Sequence, residues 1–475
     1  MIEAFSLYLL IIAQMIAVVA TSIHIVLSQR DVPSAVGWMG LVWLTPLIGL
    51  VLYWIFGVNR ITRKAHRLRP ETARHTPLRP EQQAPHQLAG RFPELIALGR
   101  VGDQLTQTAL AHGNRVQPLI NGDQAYPQML AAIGQAQCSV ALSTYIFEAD
   151  CIGAQFIDAL AQAQQRGVAV RVLIDGVGQH YSRPSIAHRL RQRGLQVGIF
   201  LTSALPIRNQ YLNLRNHRKI LVVDGRIGFT GGLNIRSACM LATQPPRPVQ
   251  DLHFRIEGPV VRGLMEAFAL DWTFTTNEQL RGRRWFPSLT AVGDSLARCI
   301  ADGPDEDFDV IRRLILGALA EARQQVRIIT PYFLPDQTLI TALNVTALRG
   351  IRVQILFPEH NNLRFVQWAA TAEAERILNG GCQVFVSPPP FDHTKLMLID
   401  QRWCLFGSAN WDPRSLRLNF ELNVECYDSA VSHRLNRLFD DKLKTAKALN
   451  AAELRGRPLV VKLRDGFARL FSPYF

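Results

Sequence analysis

Acidic residues are scarce in this chain. Of its 475 residues 38 are Asp or Glu against 52 Lys or Arg, a formal net charge of +14. That excess favours an anionic partner, either lipid headgroups or nucleic acid. Paired cysteines are missing as well. The seven cysteines, at 138, 151, 239, 299, 382, 404 and 426, are scattered with no C-x-x-C among them. This pattern implies no zinc site and reads as reduced thiols in a cytosolic compartment. The apolar run over residues 4–27 has no basic segment before it and no A-x-A exit after it, and a second run over residues 35–56 follows at once. Those absences argue against a cleaved signal peptide and for a retained anchor.

Each apolar run is long enough to cross a hydrocarbon core of ~30 Å as a helix. The connection over residues 28–34 is short and contains Pro33, so the expectation is a transmembrane hairpin occupying residues 1–59. Trp38, Trp43, Tyr53 and Trp54 are candidate interfacial anchors, and Pro46 is a candidate kink in the second span. Arg60, Arg63, Lys64, Arg67 and Arg69 follow the second span, whereas the hairpin tip carries Arg30 beside Asp31. The positive-inside rule then places the N-terminus and everything from residue 57 in the cytoplasm. Residues 60–117, with Pro70, Pro77, Pro80, Pro85 and Pro93 among Gln, Arg and His, read as a basic, proline-rich linker and then some helix.

One pattern occurs twice. His217, Lys219, Asp224, Gly231, Gly232 and Asn234 fit H-x-K-x4-D-x6-G-G/S-x-N, and His393, Lys395, Asp400, Gly407, Ser408 and Asn410 repeat it at identical spacing. Four apolar residues separate Lys from Asp in both copies, the mark of a buried strand. In an extended segment alternate side chains share a face, so each His points with its Lys. The glycine pair and the Asn suit a close approach of backbone to a bound anion. Two copies face to face would set two imidazoles, two ammonium groups and two amides around one phosphate.

Such a set suffices for phosphoryl transfer without a metal or other cofactor. One imidazole attacks phosphorus and the other protonates the leaving alkoxide. The lysines and asparagines neutralise charge on the non-bridging oxygens. Glu421 and Asp251 are each placed to hold the Nδ1–H of a histidine, orienting the ring and raising its basicity.

The duplicated motif resembles the HKD signature of the phospholipase D superfamily. The flanks, among them Asn216 to Ile220, Thr230 to Asn234, Thr330 to Phe333 and Gly407 to Ser415, resemble bacterial cardiolipin synthases over nearly the whole chain. Residues 235–249 depart from that pattern, and they are the ones that lead to Asp251. The resemblance implies His217, Lys219, Asp224, His393, Lys395 and Asp400 as the catalytic set, supported by Asn234, Asn410, Glu421 and Asp251. It implies a membrane phosphatidyltransferase joining two phosphatidylglycerol molecules through a phosphohistidine, at a bacterial inner membrane. A phospholipase D-type hydrolase would use the same site with water as acceptor. A nuclease fits the net charge, but nothing about cleaving nucleic acid requires the two spans, so no nucleic-acid partner is expected.

Internal repetition extends beyond the motif. Strand, helix, strand over residues 139–147, 156–166 and 168–175 recur over residues 326–333, 338–349 and 351–357, with Tyr145 matching Tyr332. These β-α-β units predict an α/β fold of two phospholipase D-like halves, residues 118–290 and 291–450, with mixed, mainly parallel sheets flanked by helices and the active site at their interface. Between the repeat strand and the first motif, Arg183, Arg189, Arg191, Arg193, Arg208 and Arg215 mix with Tyr181, Phe200 and Tyr211. That mixture suits a phospholipid surface or nucleic acid, or else a solvated helix over residues 185–193 followed by a loop. The tail, residues 451–475, carries Lys462, Arg464 and Arg469 with Phe467, Leu470, Phe471, Tyr474 and Phe475. It reads as an amphipathic membrane-contacting segment or as an edge helix packed on the core.

Overall fold

The structure is a computed structural model that describes residues 2–28, 32–57, 83–106, 108–201, 214–303 and 309–472. Arg208 and Tyr211, the basic cluster from Arg60 to Arg69 and the hairpin tip at Arg30 and Asp31 lie outside the described residues. The chain divides into two units, residues 1–67 with 205–212, and the remainder.

In the smaller unit one helix, Ile2–Ser28, contains a stretch long and apolar enough to cross a membrane, Tyr8–Ser28 with mean hydropathy 2.3. The second apolar run is not one continuous helix. It is a helix at Val32–Leu44, a break at Thr45, a helix at Pro46–Leu52 and a π-turn at Tyr53–Gly57. Pro46 cannot donate the i→i−4 bond, and the break falls where its ring would crowd the preceding turn. Val18, Ile25, Val42 and Tyr53 form the buried seam between the two runs. Polar groups there pair with one another: His24 Nδ1 lies 2.7 Å from the Tyr53 hydroxyl, and Trp54 Nε1 donates to Thr21 Oγ1 at 3.1 Å. In an apolar surrounding such pairs avoid unsatisfied donors. Of the four aromatic residues expected to anchor at an interface, Tyr53 is therefore an internal seam residue.

The larger unit is organised by a sheet of 15 strands. The first half supplies β1 (Ala111–Ile120), β2 (Ser139–Thr144), β3 (Ala169–Asp175), β4 (Gln196–Phe200), β5 (Ile220–Val223), β6 (Ile227–Gly231), the short β7 (Val249–Gln250) and β8 (Leu252–Glu257). The second supplies β9 (Ser295–Asp302), β10 (Gln325–Ile329), β11 (Arg352–Pro358), β12 (Gln383–Ser387), the short β13 (Phe391–Asp392), β14 (Leu396–Ile399), β15 (Trp403–Gly407), β16 (Glu421–Tyr427) and β17 (Lys447–Ala448). From the centre outward the first half runs β1-β8-β6-β5-β2-β3-β4 and the second runs β9-β16-β15-β14-β10-β11-β12, with β17 added at the edge. The two halves thus repeat one strand order and join where β1 pairs antiparallel with β9.

The expected β-α-β units are present. β2 and β3 pair in parallel around the helix Cys151–Gln165, and β10 and β11 around Gln337–Leu348. Both helices are N-capped by an aspartate, Asp150 from Gly153 N and Asp336 from Leu339 N, each cap contributing about 1 kcal/mol. The sheet is not mainly parallel, however. Four of the adjacent pairs in the large sheet are parallel and ten are antiparallel. The reason is that each motif strand (β5, β14) returns along β2 or β10 and then folds into a meander, β5-β6-β8 or β14-β15-β16, which crossover counting did not include.

Helix is present in the described part of residues 60–117, as expected after the linker, but this part is packed into the core and ends in a strand. Helices Gln83–Arg91 and Ile96–Leu105, with the 3-10 turn Pro93–Leu95 between them, bury Leu88, Phe92, Leu95 and Leu98 in the core of the second half, and β1 begins at Ala111. Arg298 ties this segment down with ion pairs to Asp103 at 2.5 Å and Glu425 at 2.6 Å. Ser185 caps a helix at Ile186–Gln192, as its amphipathic spacing predicts. At the other end, helix Leu459–Leu470 packs against helix Arg364–Asn379, with Asp465 and Ala468 buried. Its outer face leaves Leu459, Val460, Leu463 and Phe467 exposed.

Candidate active site

β5 and β14 are apolar and fully buried, and each such side chain contributes roughly 1.5–3 kcal/mol. Their burial fixes where the residues just before them emerge. His217 and Lys219 precede β5, and His393 and Lys395 precede β14. Each histidine is pinned by a backbone bond to the opposite half: His217 N–H donates to Phe420 O at 2.9 Å, and His393 N–H to Gln250 O at 2.7 Å. The residue after each of those carbonyls is the acid expected beside a histidine.

The pairing is crossed. Glu421, from the second half, lies 3.0 Å from Nδ1 of His217, and Asp251, from the first half, lies 2.8 Å from Nδ1 of His393. Each ring is therefore oriented by a carboxylate of the other half, and Nε2 is left as the nitrogen for chemistry. The bridge between Asn216 and Phe420 and the parallel pairing of β7 with β13 make this exchange two-sided. Both histidines line one cavity of about 710 Å³, together with Asn234, Asn410, Tyr145, Tyr332 and four arginines, 215, 236, 247 and 414.

The lysines are buried beside the histidines, and each ammonium donates to the carbonyl of its own histidine, Lys219 at 2.7 Å and Lys395 at 2.6 Å. Lys219 also sits 5.5 Å from the centre of the Tyr145 ring. Burial lowers Lys219 to about 7 and Lys395 to about 8, so a bound phosphate would restore their charge. Asn234 commits Oδ1 to Ile146 N–H at 3.1 Å, which leaves its amide hydrogens as donors. Asn410 Oδ1 is buried with no hydrogen-bond partner among the described residues.

The two histidine–acid pairs differ electrostatically. Burial lowers His217 to about 4 against the opposing pull of Glu421. Burial would raise Glu421, but His217, Lys219 and the Ser408 hydroxyl outweigh it and hold the carboxyl below its ordinary value. Ser408 Oγ donates to Glu421 at 2.5 Å and Asn419 Nδ2 at 3.1 Å. Asp251 has the Leu252 amide at 2.8 Å besides His393, and burial pushes it up to about 7. His393 is held well below its ordinary value by burial, then by Lys395 and Lys219, while a backbone hydrogen bond to Gly232 pulls the other way. Near neutrality His217 is thus a neutral ring on an ionised carboxylate, and the His393–Asp251 pair retains a proton.

Two of the residues expected to be catalytic are elsewhere. Asp224 and Asp400 lie at the far ends of β5 and β14, five residues and about 16 Å along the chain from the lysines. Asp224 accepts from the amides of Gln137, Cys138 and Ser139, and Asp400 from those of Arg323, Gln324 and Gln325. Both adopt positive φ, 52° and 49°, and close the turn after the strand. Their role is to hold β2 and β10 against the motif strands.

The glycines also act by packing. A Cβ on Gly231, at φ 149°, would come within 2.6 Å of Leu252 O, and one on Gly407, at φ 156°, within 2.5 Å of Asn423 Cα, so these positions let β8 and β16 lie close. At the next position, Gly232 leaves room for the Asp251 carboxylate, where Ser408 in the second copy binds Glu421.

Residues that sequence reading did not single out brace the site. Asp175, buried, accepts from Asn216 N at 2.9 Å and Val177 N at 2.9 Å. Arg218, 1% exposed, joins Asp271 at 2.8 Å, Glu421 O at 2.9 Å and Asp302 O at 3.0 Å. An arginine inside an H-x-K motif otherwise followed by apolar residues was the available signal for Arg218. Asp175, at the end of an apolar run, gave none.

The family described as "Cardiolipin synthase, PLD-like domain" matches residues 129–244 and 315–443, and that described as "Phospholipase D-nuclease N-terminal" matches residues 16–57. The chain is 31% identical to cardiolipin synthase 1 of Bacillus cereus, over 96% of this chain and 92% of that one. It is 30% identical to cardiolipin synthase 2 of Staphylococcus epidermidis, over 98% and 97%. The major cardiolipin synthase ClsA of Bacillus subtilis is 29% identical over 94% of each chain. Among solved structures, the phosphatidylserine synthase of Haemophilus influenzae superposes with a TM-score of 0.63 at 16% identity, covering 79% of this chain and 99% of that one, a likeness of fold.

Proposed function

The chain belongs to the cardiolipin synthase family of phospholipase D-like proteins, and from that premise we propose that it transfers a phosphatidyl group between two phosphatidylglycerol molecules, giving cardiolipin and glycerol. The observation that carries this reading is the crossed pairing of His217 with Glu421 and His393 with Asp251 around one cavity.

Nε2 of His217 attacks the phosphorus of the first lipid, and the bond from phosphorus to the glycerol oxygen breaks. His393 delivers a proton to that oxygen, and glycerol leaves. The terminal hydroxyl of the second lipid then gives its proton to His393 and attacks phosphorus, the P–N bond breaks, and His217 is regenerated with cardiolipin as product. The assignment of roles follows the electrostatic difference between the pairs. A neutral ring on an ionised carboxylate is a nucleophile, and a pair that retains a proton is an acid. Lys219, Lys395, Asn234 and Asn410 surround the non-bridging oxygens, where charge neutralisation lowers the barrier most. The enzyme is membrane-anchored by its N-terminal apolar runs, with the larger unit on the cytoplasmic side of a bacterial inner membrane, where phosphatidylglycerol is at hand as donor and acceptor.

The test is to incubate the purified protein with phosphatidylglycerol vesicles and resolve lipids and water-soluble products. Cardiolipin and glycerol should appear in equal amounts, and excess glycerol should suppress net cardiolipin. Phosphatidic acid as the dominant product at high lipid density would make the chain a hydrolase.

A further inference from the structure

A surface helix ordinarily turns its large apolar side chains to the core. The helix Leu459–Leu470 does the reverse. Its buried residues, packed towards helix Arg364–Asn379, are Asp465 and Ala468. Leu459, Val460, Leu463, Phe467 and Leu470, with Phe471 just after the helix, face solvent, from 41% exposed at Phe471 to 77% at Val460. At about 100° per residue these six positions fall within one arc of about 120°. Arg464 borders that arc on one side, and Lys462 and Arg469 flank it on the other. Between residues 455 and 471 there are five basic residues and a single acid, Asp465. That acid is buried and held by Arg457 at 2.5 Å and Arg464 at 2.7 Å, so the surface of this segment presents positive charge only.

The stripe leads to the mouth of the catalytic cavity. Phe467 lies 5.1 Å from Phe471, ring centre to ring centre, and Phe471 lies 6.5 Å from Phe365. Two residues before Phe365, Leu363 is exposed and lines the cavity. Beneath the stripe, Ala468 packs in one cluster with Leu334 and Val366, which are cavity-wall residues as well. Across the mouth the first half contributes Val177 and Tyr181, both exposed and both lining the same cavity. Among the described residues of the larger unit, only Val345 and Leu348 are large, apolar and exposed outside this stripe and mouth. Apolar exposure is thus gathered where substrate enters, which marks an interaction surface and not scattered surface residues.

We propose that the stripe and the apolar rim of the mouth form a bilayer-docking surface, which sinks into an anionic leaflet and seats the cavity mouth on it. The inference rests on the reading above only in that the substrate is a phospholipid. An apolar arc flanked by cations matches the acyl region of a leaflet bordered by phosphates. A second copy of the chain seated on the same surface would cover Leu363 and close the mouth to lipid. Docked on a leaflet, the mouth receives phospholipid directly from the bilayer, and the acyl chains need not cross water.

The test reads contact and consequence separately. Full-length protein is reconstituted in phosphatidylcholine vesicles containing phosphatidylglycerol, part of it with a diazirine at the end of one acyl chain, and irradiated. Mass spectrometry should find acyl adducts within residues 459–471 and none at Val345 or Leu348. Glycerol release is then followed for the double variant Leu463→Ser, Phe467→Ser, from long-chain phosphatidylglycerol in the vesicles and from a water-soluble short-chain form added outside. The first rate should fall by about tenfold or more and the second stay within about twofold, while Leu348→Ser changes neither. Absence of adducts on the stripe overturns the docking surface, and so does an unchanged vesicle rate or an equal fall in both rates. Copies cross-linked to each other through the stripe, with no acyl adducts, would make it a dimer interface and overturn it too. Wild-type protein that releases no glycerol from either lipid sinks the proposed function instead, and the adducts still decide the surface.

Discussion

Gly232→Ala isolates the crossed pairing from the fold that carries it. A Cβ built on Gly232 collides first with Oδ1 of Asp251, the oxygen that accepts from the Leu252 amide, and lies 2.7 Å from Oδ2 and 2.8 Å from Cγ, against an ordinary carbon contact of about 3.5 Å. The carboxylate must therefore move by about 1 Å. Its bond to His393 Nδ1, 2.8 Å long, then passes out of hydrogen-bond range. Losing a hydrogen bond to a charged group costs about 1.5–3 kcal/mol, and a displacement of that size at a reacting ring costs about 10²-fold in rate. The expected result is a fall in kcat for cardiolipin formation of about 100-fold. Thermal stability should change little, because the colliding atoms end a side chain and Gly232 does not have a positive φ. Ser408→Gly at the equivalent place removes the hydroxyl bond to Glu421 and leaves the geometry open, so its loss should be nearer tenfold. Lipid chromatography in mixed micelles reads both. If Gly232→Ala keeps more than about a third of the wild-type rate, Asp251 does not position His393 for catalysis.

Replacing either His217 or His393 by Ala should abolish turnover, because nucleophile and acid are both required; near-normal glycerol release from either variant contradicts the paired mechanism. Burial lowers His217 to about 4 and raises Asp251 to about 7. His217 is thus unprotonated above pH about 4, while the proton needed by the leaving glycerol is bound below about 7 and lost above it. Initial glycerol release should be level between those values and decline on both sides, and a rate still rising through pH 8 would refute the assignment. Asp224→Ala and Asp400→Ala should each cost about 1–3 kcal/mol of stability by freeing backbone amides, with the folded fraction keeping wild-type kcat within about twofold. A selective loss of kcat in either would return these aspartates to the chemistry.

The histidines, lysines and asparagines were legible because each copy repeats them at fixed spacing, and the two acids, which do not share that spacing, because chemistry dictates what an imidazole flanked by a carboxylate does. Which acid serves which histidine was not legible. That depends on the exchange of Phe420 and Gln250 across the junction of the halves, and strand periodicity within one half says nothing of it. The same limit hid the work of Asp224 and Asp400. A conserved spacing in both copies looks catalytic, yet the four apolar residues of β5 and β14 carry those carboxylates to the opposite end of the strand. Parallel β-α-β units were read from helix and strand alternation, while the antiparallel meanders β5-β6-β8 and β14-β15-β16 had short connections without a helix to announce them. The burial of residues 83–105 was obscured by proline and glutamine content, although Leu88, Phe92, Leu95 and Leu98 already lay at helical spacing.

Covalent trapping tests the central claim most directly. Phosphatidylglycerol carrying a labelled acyl chain is mixed with enzyme, quenched in alkali within the first turnover, and the digest is examined by mass spectrometry. The account predicts a phosphatidyl adduct on the Nε2 nitrogen of His217, formed together with the first equivalent of glycerol and consumed as cardiolipin appears. An adduct on His393 instead, or cardiolipin produced at full rate with no adduct at any time point, would contradict it.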